Sequence, residues 1–249
     1  MTAYHGGKQK IGKELSEIIN TYIKLEGVQG YVEPFCGMLG VFQHIAAKLD
    51  QIENKLYKAG DTNKSVMMMW EESKHGRLVF PEECGKEEYN ALRKREDSSL
   101  KKFLGCAQSF GGLYCGAFRE NYSGGRKTNL KKSGENVKRI SEVLKNVEFS
   151  WGSYQQYSNL ENFVIYCDPP YSKGVCRYLE KFNSQEFLDW CEQMSLKGNI
   201  ILLSGYEKPS EDWELLWKKE RCAGGYRGRK CVGMEQLFLL RYKPLQAVV

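Results

Sequence analysis

The first 61 residues alternate helix, strand, glycine loop, helix and strand, the first half of an open α/β sheet. Ile11, Leu15, Ile18, Ile19, Tyr22 and Ile23 recur at helical spacing, which predicts an amphipathic helix over 10–25. Gly30-Tyr-Val-Glu-Pro-Phe35 reads as a short strand, and Cys36-Gly-Met-Leu-Gly40 as the loop after it. Val41, Phe42, Ile45, Ala46 and Leu49 resume the helical period, and Leu56-Tyr-Lys-Ala-Gly-Asp61 is a second strand ending on a carboxylate.

From Glu71 to Arg139 the character changes to charge and paired glycines. Between positions 119 and 139, Arg119, Arg126, Lys127, Lys131, Lys132, Lys138 and Arg139 face only Glu120 and Glu135. That local excess is nearly the whole net charge of +6. Such a run can be merely a solvated face. Tyr114, Phe118 and Tyr122 sit within or beside it, and basic residues interleaved with aromatics and glycine turns also suit a hairpin lying in a nucleic-acid groove. Strand signals return at 147–151 and 163–167. A helix at about 184–196, a buried strand at 200–203 and a closing strand at 235–242 follow, the last after a basic turn at 226–230.

Several classes are excluded. The apolar runs fall far short of the ~20 residues that span a bilayer, and the start has no apolar signal core. The nine cysteines are odd in number and none pair at CxxC spacing, so they read as reduced thiols of a cytoplasmic protein. The three histidines lack a ligand spacing, and no metal is expected.

Chemistry concentrates at Asp168-Pro-Pro-Tyr171. An apolar strand ending in a carboxylate, two prolines and an aromatic places all four at the carboxyl edge of a parallel sheet, where open α/β sheets bind ligands. The prolines stiffen the loop and leave their carbonyls free to accept. The plain alternative is a Pro-Pro strand terminator with Tyr171 in the core. The chemistry that fits is methylation of an exocyclic amine. A carboxylate and a backbone carbonyl, each accepting one N–H, favour sp³ character at a nitrogen whose lone pair is otherwise delocalised into the ring. Tyr171 then stacks on a base taken out of the duplex.

Two further elements accompany it. Glu33-Pro-Phe-Cys-Gly-Met-Leu-Gly40 lacks the GxGxxG fingerprint and could be a plain β–α turn, but Asp61 follows about twenty residues later at a strand end. A carboxylate there can accept from ribose hydroxyls. Tyr4-His-Gly-Gly-Lys8 is not a P-loop; its glycines allow close backbone approach to a ligand, and Lys8 can meet a carboxylate.

In this order the segments resemble the Dam-like (D12 class) DNA adenine-N6 methyltransferases. The resemblance implies a Rossmann-like, doubly wound seven-stranded methyltransferase sheet over 1–62 and 156–249. Between its halves it implies an inserted, mainly helical target-recognition domain with a β-hairpin over 63–155. It also implies S-adenosylmethionine as methyl donor, no metal, and double-stranded DNA as partner. Carried over by position, Tyr4, Lys8, Glu33, Phe35, Gly37, Asp61 and Asp168 are cofactor contacts. Asp168, Pro169, Pro170 and Tyr171 form the catalytic pocket, and Phe182 packs near the base. Arg119, Asn121, Arg126 and Lys127 are expected to touch DNA, with Lys131 and Lys132 on phosphates.

The loop departs from the family's FxGxG spacing, and Ser109–Tyr122 only loosely resembles the segment of GATC-type enzymes. GATC-like sites are therefore one expectation among several. The alternatives are RNA adenine or cytosine N4 as acceptor, and a DNA-binding relative without catalysis. A monomer, or a weak dimer on DNA, in a bacterial, phage or viral setting completes the expectation, with or without a restriction partner.

Overall fold

The structure is a computed structural model, and it describes residues 7–46, 55–119, 129–170, 182–224 and 230–241. Its element order is α1 (Gly12–Ile23), β1 (Gly30–Glu33), α2 (Phe42–Ala46), β2 (Leu56–Asp61), α3 (Lys64–Lys74), α4 (Lys86–Arg93), α5 (Ser99–Ala107), α6 (Leu130–Val143), β3 (Glu148–Trp151), β4 (Phe163–Cys167), α7 (Ser184–Leu196), β5 (Ile200–Gly205), β6 (Trp213–Gly224) and β7 (Lys230–Leu240). The strands form one seven-stranded sheet in the order β3-β2-β1-β4-β5-β7-β6. The mixed α/β, Rossmann-like sheet of seven strands expected from the sequence is present.

Two compact units divide the chain: Met1–Ser16, Cys36–Glu53 and Lys58–Ser153 form one, and Glu17–Phe35, Asn54–Tyr57 and Tyr154–Val249 the other. In the second unit β1, β4 and β5 run parallel, with Val32 opposite Ile165 and Ile165 opposite Ile201. Strand β7 returns antiparallel against β5, and β6 pairs antiparallel with β7. β1 and β4 are buried at every position, as strands covered on both faces must be, and they read as continuous apolar runs for that reason. Helix α7 packs Phe187, Trp190, Cys191 and Met194 into a core with Val32, Phe163, Ile165, Ile201 and Phe238. Asn199 fixes the turn before β5 by accepting from the Phe163 N–H and donating to the Leu160 and Met194 carbonyls.

In the first unit, β2 and β3 pair in parallel, with Asp61 opposite Trp151. Helix α3 packs on α5 and α6, and the Ser73 and Ser141 hydroxyls bond at 2.6 Å between α3 and α6. Asn63, Ser98 and Asn129 cap α3, α5 and α6, each side-chain oxygen accepting a first-turn N–H. Such caps satisfy donors the helix leaves unpaired. The described part of 63–155 thus carries the four helices α3–α6. The basic stretch 119–139, read as suited to a hairpin, is instead helical from Leu130 onward, in α6; residues 120–128 lie outside the described residues, and the antiparallel bridge Ser109–Phe118 precedes them.

Sequence and structure differ at three places. The closing strand starts at Lys230 instead of 235, because β6 supplies a long partner. Strand β6 itself has no counterpart in the sequence reading. The second helix is described only as Phe42–Ala46, since 47–54 lie outside the described residues.

Candidate active site

The chain leaves β1 toward β2 and returns to β4 on the other side of β1, so the strand order reverses between β1 and β4. Open α/β sheets bind ligands at the carboxyl ends of strands flanking such a reversal. Glu33 ends β1 and Asp168 follows the last residue of β4, and the two strands are paired neighbours. Asp168 and Pro170 are half-buried and Pro169 is buried.

Glu33 is 3% exposed, so it lies beneath the edge. Tyr31 Oη donates to its Oε1 at 2.7 Å. Burial pushes the Glu33 carboxyl up to about 8; the Tyr31 bond pulls it down and the charge of Asp168 pushes it up again. The neighbours share that environment. Burial holds the Tyr31 and Tyr166 phenols and the Cys167 thiol well above their ordinary ranges, and carboxylate charge from Glu33 or Asp168 adds to each. Tyr166 and Ser204 hydroxyls bond at 2.7 Å between β4 and β5. The Tyr31 and Tyr166 phenols and the Cys167 thiol are therefore kept in their neutral forms.

Phe35 sits in an aromatic group with Tyr154, Phe182 and Phe187, at centroid separations of 5.7, 5.9 and 5.5 Å. Phe182, placed near the base by resemblance, is thus brought against Phe35.

In the first unit the glycine loop folds over the end of β2. Cys36 N–H donates to the Gly60 carbonyl at 2.9 Å. Gly37 adopts φ 45° and Leu39 φ 53°, a left-handed backbone that costs a residue with a side chain roughly 1–2 kcal/mol. Glycine at 37 avoids that cost, whereas Leu39 bears it while fully buried. Gly37 N–H donates to Asp61 Oδ2 at 2.9 Å, and Asn63 N–H donates to Asp61 Oδ1 at 2.8 Å. A carboxylate offers about four lone-pair sites, and these two bonds use only part of that acceptor capacity. Burial raises the Asp61 carboxyl, opposed by the Asn63 and Gly37 bonds and by the charge of Lys102. Lys8 is brought to this loop too. A Cβ on Gly40 would stand 3.0 Å from the Lys8 backbone, so a side chain there would force that backbone to give by a few tenths of an ångström. The Lys8 side chain is 3% exposed.

Tyr4, Tyr171, Asn121, Arg126 and Lys127 lie outside the described residues. Arg119 is partly exposed, its N–H donating to the Gln108 carbonyl at 2.9 Å. Lys131 and Lys132 are exposed at the start of α6, Lys131 in a 3.0 Å ion pair with Glu82. Among the described residues no group of His, Cys, Asp and Glu is arranged to hold a metal.

A model of the D12 class N6 adenine-specific DNA methyltransferases matches residues 4–193. The chain belongs to that family. Solved structures of similar shape share little sequence with this D12 enzyme. An rRNA methyltransferase, aviRa, from Streptomyces viridochromogenes has 10% identity and TM-score 0.43, with 92% of this chain and 84% of that one covered. Precorrin-6y C5,15-methyltransferase from Geobacter metallireducens has 9% identity and TM-score 0.40, with 92% and 88% covered. No curated protein matches the chain.

Sequence reasoning about this D12 enzyme missed Trp70, whose Nε1–H donates to the Gly37 carbonyl at 2.9 Å. It also missed Lys102, buried with its Nζ 4.4 Å from the Tyr114 ring centroid. A backbone acceptor leaves no residue pattern to find, and Lys102 lies in a charged stretch that resembles a solvated face.

Proposed function

We propose that this D12 enzyme transfers a methyl group from S-adenosylmethionine to N6 of an adenine flipped out of duplex DNA at a specific sequence. The observation that carries the reading is the placement of Asp168-Pro169-Pro170 at the carboxyl end of β4, beside Glu33 on its paired neighbour β1 at the strand-order reversal. Asp168 accepts one N–H of the amine and a loop carbonyl the other, so the nitrogen lone pair turns toward the methyl group. Hydrogen bonds to a charged acceptor are worth ~1.5–3 kcal/mol each, and preorganised acceptors cost no reorganisation as charge develops. Tyr171 stacks on the base, and Phe35 with Phe182 forms an apolar wall.

The donor set suits the methyl donor. Asp61 keeps acceptor capacity for its ribose, Lys8 supplies a cation for its carboxylate, and Gly37 and Gly40 allow close approach. When bound, S-adenosylmethionine supplies an electrophilic methyl on sulfonium. Displacement by N6 needs neither a covalent enzyme intermediate nor a metal. The basic stretch from Arg119 to Arg139 is the proposed DNA-reading surface, with GATC-like sites the first sequence to try.

Incubation with tritiated S-adenosylmethionine and duplex DNA, followed by nucleoside analysis, tests this. N6-methyladenine is expected. Label on RNA or on cytosine-only oligonucleotides, with none on adenine-containing duplex, would overturn it. Sequencing methylated DNA from an expressing host delivers the recognition site.

A further inference from the structure

We propose that Trp70 is a positioning residue for the cofactor loop, an inference that rests on the reading of that loop as the S-adenosylmethionine site. Both backbone polar groups of Gly37 are held. Its N–H donates to Asp61 Oδ2, and its carbonyl accepts from Trp70 Nε1, each at 2.9 Å. The other Asp61 oxygen accepts from Asn63, and Asn63 Oδ1 accepts from Val66 N–H at 3.3 Å, capping α3, the helix that carries Trp70. Asp61, Asn63, α3, Trp70 and Gly37 therefore close a ring of hydrogen bonds, so the carboxylate proposed to hold ribose and the glycine proposed to face the cofactor share one support.

The indole is fully buried, and its N–H goes to a carbonyl of a left-handed residue that helix or sheet pairing does not reach. Without that donor the Gly37–Met38 peptide, which carries the carbonyl, loses its anchor, and rotation about the Gly37 backbone strains the bond that the Gly37 N–H, on the preceding peptide, makes to Asp61. The helix is itself held firmly: it packs on α5 and α6, and from α5 Lys102 adds a positive charge that favours ionised Asp61. Trp70 touches no reacting atom in this scheme. It acts through Gly37 and Asp61 on cofactor affinity, not on the amine chemistry at Asp168.

The test is Trp70→Phe, which keeps an aromatic ring and removes the N–H. Calorimetry with S-adenosylhomocysteine should show about tenfold weaker binding, equivalent to ~1.4 kcal/mol. The KM for S-adenosylmethionine should rise by a similar factor, while kcat at saturating cofactor stays within twofold. Unchanged affinity and KM, or a fall in kcat with KM constant, would overturn the proposal. A second measurement covers a variant that does not fold. In the unaltered protein the Trp70 indole N–H should exchange with solvent several-fold more slowly once S-adenosylhomocysteine is bound, and a rate the ligand does not move also overturns it. Failure of the unaltered enzyme to bind S-adenosylhomocysteine sinks the cofactor reading itself, a result distinct from a variant that binds it as well as the parent.

Discussion

The Gly37 N–H donates to Asp61 Oδ2 across 24 positions of sequence, joining the glycine loop to the end of β2. Asp61→Ala removes the acceptor of two backbone N–H groups, Gly37 and Asn63. Stranding buried donors costs about 1–3 kcal/mol each, so thermal unfolding should move down by several degrees. S-adenosylhomocysteine binding should fall at least tenfold. Asp61→Asn should restore stability in part and affinity hardly at all, because its amide brings donors where the ribose also donates. Equal affinity in both variants and the parent would remove Asp61 from the cofactor site.

Asp168→Ala should abolish measurable transfer while leaving the protein folded. Losing one preorganised charge-stabilising group costs about 10²–10³-fold in kcat, and here the amine also loses its acceptor. Asp168 is half-buried at a strand end, so its removal opens no cavity. A single-turnover assay decides it, and near-normal turnover excludes the assigned role.

The buried Glu33 makes stability depend on pH in a predictable direction. In the unfolded chain it ionises near its ordinary value of 4.5, and in the folded chain near about 8. Between those values the folded state retains a proton that the unfolded state has released, so this group lowers stability as pH rises through the window. Glu33→Gln keeps an acceptor for Tyr31 and cannot ionise. Its unfolding temperature relative to the parent should therefore climb from pH 5 to pH 8; a constant difference across that range refutes the assignment.

On DNA, Lys131 and Lys132 should act through phosphates. Replacing both with Gln should weaken binding uniformly across sequences and reduce the slope of log K against log salt by ~0.9 for each phosphate no longer neutralised. The Glu82 pair at Lys131 is exposed and worth only ~0–1 kcal/mol, so it yields readily to a phosphate. Arg119→Ala should instead alter sequence preference, since Arg can read guanine bidentately. Filter binding on matched and mismatched duplexes over a salt series separates the two.

Much of the sheet was readable because its inner strands are buried on both faces. Tyr31-Val32 and Phe163–Cys167 are apolar without interruption, and each run is followed by a carboxylate and then Pro, which marks where the strand stops. Strand β6 hid behind an irregularity. Its register against β7 shifts between Leu215 and Trp217, so the alternation that would have announced a strand breaks at its third residue. Helices α5 and α6 carry Gly105 and Gly134, and short charged helices with glycine inside give a weak periodic signal. Asp168, Pro169, Pro170 and Asp61 were legible because a side chain at a strand end is itself the signal. Trp70 was not, because its partner is the carbonyl of Gly37, and every residue has a carbonyl.

The pairing of Gly30 with Phe163 also bears on how the chain reaches its native state. Paired positions of β1 and β4 lie 133 residues apart in sequence, so β1 has no β4 to join until the intervening helices have been synthesised. Closing a loop that long adds only slowly to the entropic cost, but non-local pairing of parallel strands is slow. The helical segment lies between the two strands in sequence, and by forming first it can shorten the effective loop. Refolding should therefore show a fast phase in helical signal followed by a slower one in which the site is assembled, and activity should return only with the second.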